Sequence, residues 1–300
     1  MTELLSLLPI HVKYIPNTMS IERRNFLRNA GLATGLLFFQ KPLSSFASIT
    51  ENAVIVGGDA TKLLVRHTND MQGSMPDFLA KSNKGLLLDA GSFLGKTGSL
   101  STDLKMIQEM NSKGYQAVGI GENELAAGQD YLAALLGEMK FPLVNCNYEF
   151  SDVRLQKGIR KYVIVYAGPY KIGITGVGAE VKGIRGVQVK DPVAAATAMA
   201  AQLKHKMDCD YVICLSHLGY DRNLDVLSNK SMVSNTTHIN FVIGGGIQGV
   251  VPRAFVVKNK DKQEAILHQG LSNNDAYGHL EIVFNESRQH IAMDPRMIWA

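Results

Sequence analysis

An α/β fold built around a mainly parallel sheet is predicted for this chain, and two patterns in the sequence point to that class. From residue 53 onward, short apolar runs alternate with segments of helical periodicity, which is the pattern of βαβ units. Polar or glycine-containing turns follow the apolar runs, where the sites of α/β proteins form. The 300 residues are 46% hydrophobic and 19% charged, which supplies a sizeable core.

The individual elements follow from these runs. Buried strands are expected at 63–65, 86–88, 117–120, 142–144, 211–215 and 241–243. Amphipathic helices are expected at 103–113, 129–139 and 191–207. The last of them has Asp191 as its N-cap and Pro192 in the first helical position. A hairpin joins 162–166 to 171–175, and beyond residue 250 the pattern predicts strands alone, at 253–257, 264–268 and 279–284.

The N-terminal segment reads as a twin-arginine-type export signal. Arg23-Arg24 precede an uncharged stretch at 30–39, and Ser45-Phe46-Ala47 provides a small-residue cleavage site. The uncharged stretch is too short for a membrane anchor, since a bilayer core of ~30 Å needs about 20 helical residues. We therefore predict a signal peptide at 1–47 and one domain at 48–300, in a periplasmic or secreted protein that has no membrane attachment once the signal is removed.

The charge and the cysteines exclude two classes of function. The formal net charge is +4, and residues 1–47 contribute +3 of it through five Lys/Arg and two Asp/Glu, which leaves +1 for the rest. A nucleic-acid-binding domain needs a basic stripe on its folded surface, so no nucleic-acid partner is expected. The cysteines lack the spacing of a zinc site, and the apolar neighbours of Cys214 predict a buried side chain.

The turns after the predicted strands hold the polar residues of a candidate site. They read HTNDMQG at 67–73, DAGSFLG at 89–95, GENELAAG at 121–128, SHLG at 216–219 and GGGIQG at 244–249. The carboxyl ends of parallel strands meet at one edge of a sheet, so these turns are expected to converge there.

In this order, the turns resemble the 5′-nucleotidase branch of the calcineurin-like metallophosphoesterases, over roughly residues 61–285. Members of that branch read HTNDxHG, DAGDxxG, GNHEFDxG, SHxG and GGHxH. The resemblance implies a four-layer α/β/β/α sandwich with two mixed sheets. It also implies hydrolysis of nucleotide phosphate esters at two metal ions that share a bridging carboxylate, with a histidine as general acid.

Most residues of that centre are replaced in this sequence. Matched position by position, the family's metal ligands are retained only as Asp70, His217 and Gln248, the last a variant that some members carry. The bridging aspartate is Ser92 and the catalytic histidine is Asn123, so no catalytic residue is assigned. The other replacements are Gln72 for histidine, Glu122 for asparagine, Ala126 for aspartate and Gly246 for histidine. Because two close dications repel without a shared carboxylate, a two-metal centre is not expected.

Two interpretations of the remaining residues stay open. In the first, Asp70 and His217 belong to a hydrogen-bonded polar cleft without a metal. In the second, Asp70, Glu122, His217, Gln72 and Gln248 form one site for Mn, Mg or Ca, because carboxylate and amide oxygens suit these cations. No other cofactor-binding residue is predicted.

The function implied is that of a 5′-nucleotidase-like protein with impaired catalysis, acting as a binding module or a partner subunit. The alternative is an active phosphoesterase with one remodelled metal site. The expected partners are a phosphate-containing small ligand and a separate subunit equivalent to the family's C-terminal nucleotide-binding domain, which this chain is expected to lack. His67 and Asp89 are expected to support loops. The histidines at 205, 238, 268, 279 and 290 show no ligand spacing.

Overall fold

Two mixed β-sheets, stacked face to face and flanked by helices, form most of the described part of the chain, and a small third sheet pairs two short strands. The computed structural model describes residues 53–77, 79, 85–246, 254–270 and 276–299. The predicted signal peptide and Gln248 lie outside the described residues and stay predictions. Among the helices of the described residues, none has the length and apolar character needed to span a bilayer.

Strands and helices are numbered here in chain order. The strands are β1 Ala53–Val56, β2 Lys62–Thr68, β3 Leu86–Asp89, β4 Ala117–Val118, β5 Tyr148–Phe150, β6 Tyr162–Ala167, β7 Tyr170–Gly178, β8 Val187–Val189, β9 Tyr211–His217, β10 Phe241–Gly244, β11 Phe255–Lys258, β12 Glu264–Gln269, β13 Ala276–Phe284 and β14 His290–Trp299. The helices are α1 Leu100–Lys113, α2 Glu122–Ala126, α3 Gln129–Leu135, α4 Val153–Gly158, α5 Pro192–Ala201 and α6 Asn229–Asn235. A 3₁₀ turn, Leu136–Glu138, extends α3, and a π-helical turn, Gln202–Lys206, extends α5.

The larger sheet has the strand order β1-β6-β7-β9-β10-β12-β11, and the smaller has the order β14-β13-β2-β3-β4. The strands β7, β9, β10 and β12 run parallel, as do β2, β3 and β4, whereas β11, β13 and β14 pair antiparallel. Both sheets are therefore mixed, and the predicted parallel arrangement holds for their central strands.

Strand β9 shows how the layers are assembled. All of its residues are buried, because one face packs between the sheets and the other packs under helices. Ile213 contributes to the core between the two sheets, whereas Val212 contributes to a second core with Ala200 of α5. A third core packs Met106 of α1 against Leu87 of the smaller sheet. The order helix, sheet, sheet, helix confirms the predicted four-layer sandwich.

The strand predicted at 142–144 is wrong. This segment makes only isolated bridges, between Leu143 and Val118 and between Val144 and Arg160. Its neighbour β4 has just two residues, and Pro142 has no N–H to donate, so a longer ladder cannot form here. The strand β14 was not predicted, because its side chains are exposed or half-exposed and give no continuous apolar run.

The N-cap of α5 leads to a prediction about stability. The Asp191 carboxylate accepts a hydrogen bond from the Ala194 N–H at 2.6 Å, and Pro192 occupies the first turn. We expect Asp191→Ala to lower the free energy of unfolding by about 1 kcal/mol, because this N–H loses its acceptor. Urea unfolding measures the change, and Asp191→Asn, which keeps a capping oxygen, should retain most of the stability.

Candidate functional site

The polar turns converge where β2, β3, β9 and β10 end. In the smaller sheet Thr68 lies opposite Asp89, and in the larger sheet Ser216 lies opposite Gly244. The turns that follow these strands bring together the side chains predicted from the sequence. Asp70, Ser92 and His217 come into contact, although they are far apart in the chain.

His217 is the centre of this contact. Its Nδ1 lies 3.1 Å from the Ala90 carbonyl oxygen, which can only accept, so Nδ1 carries a proton. Its Nε2 lies 3.1 Å from the Ser92 Oγ and 3.5 Å from the Asp70 Oδ1. Both ring nitrogens are therefore engaged by the protein.

The Asp70 carboxylate is also fully engaged. The Gly246 N–H donates to its Oδ2 at 2.9 Å and to its Oδ1 at 3.2 Å, and the Asn69 side-chain amide donates to Oδ2 at 2.7 Å. Asp70 is only 4% exposed, so these donors replace the water that the carboxylate lost on burial. A cation would have to compete with all of them.

Glycines allow the turns to approach this closely. A Cβ on Gly121 would lie 2.4 Å from the Ser92 Oγ, and one on Gly245 would lie 2.6 Å from the His217 Nδ1. Gly246 has a φ of +78°, in the left-handed region that glycine adopts at little cost. The histidine that stands here in the family would be strained with this backbone.

Glu124 holds the turns together, a role that was not predicted from the sequence. The carboxylate accepts N–H donors from Ser92 at 2.8 Å, from Leu94 at 3.0 Å and from Gly121 at 2.7 Å. Burial raises the pKa of Glu124, and these hydrogen bonds oppose that rise. One signal in the sequence could have indicated this role: Glu124 stands where the family's GNHE motif also has its glutamate.

Two further buried polar groups adjoin the turns: the carboxyl group of Asp89 and a pair of histidines. Asp89 accepts from the Thr68 hydroxyl at 2.7 Å and from the Gly91 N–H at 2.8 Å, and burial raises the pKa of its carboxyl well above the usual range. His67 of the smaller sheet meets His268 of the larger sheet, with 2.9 Å between Nε2 and Nδ1. This histidine pair is a polar link between the two sheets.

The cluster does not include the side chains of Glu122, Gln72 or Asn123. A cleft of ≈ 160 Å³ opens beside it, lined by Glu122, Tyr148, Glu180, His217 and Gly246 among others. Glu122 is exposed on the cleft wall. Gln72 is exposed and does not line the cleft, and the Asn123 amide donates to the Leu94 carbonyl oxygen at 2.9 Å.

The chain resembles known nucleotide phosphoesterases at low sequence identity. No protein-family model matches the chain. The trifunctional nucleotide phosphoesterase YfkN of Bacillus subtilis is 22% identical over 277 residues, which covers 75% of this chain and 18% of the relative. The NAD 5′-nucleotidase of Haemophilus influenzae is 25% identical over 197 residues, covering 61% of this chain and 32% of the relative.

Solved structures agree with these relatives. The 5′-nucleotidase precursor of Thermus thermophilus superposes with a TM-score of 0.68 at 21% identity, over 79% of this chain and 54% of that one. The calcineurin-like phosphoesterase YfkN of Bacillus subtilis superposes with a TM-score of 0.61 at 18% identity, over 80% and 91%. The chain is a distant relative of the 5′-nucleotidase-type phosphoesterases. It spans less than two-fifths of the length of the curated relatives that it matches.

The side chains that this chain, a relative of the 5′-nucleotidases, offers as metal ligands do not fit the two-metal centre that the resemblance implies. Within the described residues, no three histidine, cysteine or carboxylate side chains come close enough to hold a metal ion. Ser92 offers a hydroxyl where a bridging carboxylate is needed, and Asp70 already accepts from Gly246 and Asn69. The cluster can hold or orient a polar ligand through Asp70 and His217, and the Asn123 amide, at the position of the family's catalytic histidine, donates to the Leu94 carbonyl oxygen.

Proposed function

We propose that this chain is an exported 5′-nucleotidase-like protein that no longer hydrolyses phosphate esters and acts as a binding module or a partner subunit. The observation that carries the proposal is the closed network of Asp70, His217, Ser92 and Gly246, in which the two retained ligand residues bind the protein itself. A buried carboxylate that accepts three hydrogen bonds from two protein donors is not poised to take up a metal ion.

The charge of the cleft bears on the ligand. Glu122 and Glu180 line it, and Asp70 lies 3.5 Å from His217, which also lines it. Their negative charges oppose a phosphate group, since like charges at close range repel. A phosphate-containing small ligand would therefore bind together with a cation that offsets this charge.

An activity assay tests the loss of catalysis. Hydrolysis of AMP and p-nitrophenyl phosphate is measured with Mn²⁺, Mg²⁺, Zn²⁺ or Ca²⁺, on wild type and on Asp70→Ala. We expect both proteins to give the same rate, at the level of a protein-free blank. Metal-dependent turnover by wild type that disappears in Asp70→Ala would overturn the proposal.

A second candidate function is a phosphoesterase with one remodelled metal site, and Glu122 favours it. This carboxylate is exposed and lines the same cleft as His217. Under this alternative, about one Mn²⁺ per chain would be retained after loading and lost in Glu122→Gln. The exposed Glu138→Gln serves as the matched control. Equal manganese content in all three proteins would remove this alternative.

Export and assembly are part of the proposal. Replacing Arg23-Arg24 by two lysines should leave the protein in the cytoplasm, because the receptor for this signal reads the arginine pair. The partner would be a separate subunit equivalent to the family's C-terminal nucleotide-binding domain; the chain spans 37% and 32% of the length of two matched relatives. Affinity purification from the periplasm should recover it in a fixed ratio.

A further inference from the structure

Two histidines meet on the surface at the opposite end of the larger sheet. His205 lies in the π-helical turn after α5, and His238 lies in the loop before β10. Both precede parallel strands whose other ends carry the cleft. Since β9 has seven residues, the pair lies roughly 20 Å from the cleft. Nothing in the proposed function uses these residues.

The geometry of the pair is that of two ligands around one point. The two Nε2 atoms are 3.3 Å apart, and the rings are nearly perpendicular, with 4.7 Å between centroids and 85° between planes. An N–H···O hydrogen bond is usually about 2.7–3.2 Å long, so this nitrogen–nitrogen contact is at the long end for a hydrogen bond. Two imidazoles bound at about 2.0–2.1 Å to a tetrahedral ion would place their nitrogens about 3.3–3.4 Å apart.

The backbone at both residues is unusual. His238 has a φ of +63°, a conformation that side-chain-bearing residues rarely adopt. His205 sits in a π-turn closed by the Met207 N–H and the Gln202 carbonyl oxygen at 3.1 Å, and such turns are frequent at functional sites. The Lys204 amine, the nearest cation in sequence along with Lys206, donates to the carbonyls of Cys209 and Asp210.

We propose that His205 and His238 chelate one divalent transition-metal ion of the kind that prefers imidazole, with Zn²⁺ as the probe. Water completes the coordination, because the described residues bring no third histidine, cysteine or carboxylate to this point. The ion joins the end of the α5 segment to the loop before β10. The site is independent of the cleft and of the proposed function.

Zinc titration of the full chain by calorimetry tests the proposal, with Co²⁺ absorption in the visible region as a second readout. We expect His205→Ala and His238→Ala each to weaken binding at least about tenfold and to abolish the visible cobalt bands, since each removes a direct ligand. Both histidines are on the surface, and circular dichroism should show an unchanged fold.

Two controls locate the ion. His279→Ala removes a histidine outside the pair, and the double variant Asp70→Ala, His217→Ala removes the candidate ligands of the cleft. Both should bind Zn²⁺ as tightly as wild type. Equal zinc affinity in wild type and in the double variant His205→Ala, His238→Ala would overturn the proposal, as would loss of the ion from the cleft variant.

Discussion

Replacing Glu124 by alanine is expected to lower the free energy of unfolding by about 3 kcal/mol. The change leaves the N–H groups of Ser92, Leu94 and Gly121 without their acceptor at a fully buried position. A buried donor without a partner costs about 1–3 kcal/mol. Burial raises the pKa of Glu124, which means that a charged carboxylate is unfavourable at this position. Removing it offsets part of the loss, but the three N–H groups left without an acceptor cost more.

Urea unfolding of wild type and Glu124→Ala measures the difference. Glu122→Ala is the matched control, because it lies on the same short helix with an exposed side chain. Its effect should stay within about 0.5 kcal/mol. Equal losses in the two variants would mean that Glu124 does not hold the turns. Amide exchange of Ser92 and Gly121 should also accelerate in Glu124→Ala alone.

The contribution of the His67–His268 pair to stability is expected to fall as the pH drops from about 6.5 toward 4, while the raised pKa values of Asp89 and Glu124 act in the opposite sense. Burial lowers the pKa of His268 to about 4, and burial together with the His268 neighbour lowers the pKa of His67 well below its usual value. In this window the unfolded chain takes up protons that the folded histidine pair does not. The pair therefore makes unfolding more favourable as the pH falls. Each unit of pH costs about 1.4 kcal/mol per group, or about 3 kcal/mol across the window for His268.

Unfolding midpoints in urea at several pH values between about 4 and 7 test this dependence. His268→Gln removes one of the two groups and should make the stability clearly less dependent on pH. His205→Gln changes an exposed histidine and serves as the control. If the slope against pH is the same in His268→Gln as in wild type, the pair is not its source.

The sequence was informative where one periodic pattern decides the structure. The strands β9 and β10 are buried on both faces, which produces continuous apolar runs, and parallel strands must bring their ends together. The convergence of the turns that hold Asp70, Ser92 and His217 follows from those two facts. The four layers followed from the ordered resemblance.

The details of the site depend on three-dimensional contacts that spacing does not encode. Nothing in the sequence orients the Asn123 amide toward the Leu94 carbonyl, or places three N–H donors around Glu124. His205 and His238 are 33 positions apart, and they meet through a π-turn and a left-handed residue. Neither feature has a reliable signature in a single sequence.

The backbone at Gly246 limits how this chain could accommodate the two-metal centre that the resemblance implies. A Cβ there would lie 2.9 Å from the Gly219 nitrogen, and the residue's N–H donates a hydrogen bond to Asp70. Introducing histidine at this position would strain the turn and disturb that hydrogen bond before any new ligand became useful. Ser92→Asp alone would add a negative charge beside Asp70 with no cation to balance it. A two-metal centre of the family's kind would therefore need several simultaneous changes in this chain, because each single change is unfavourable without the others.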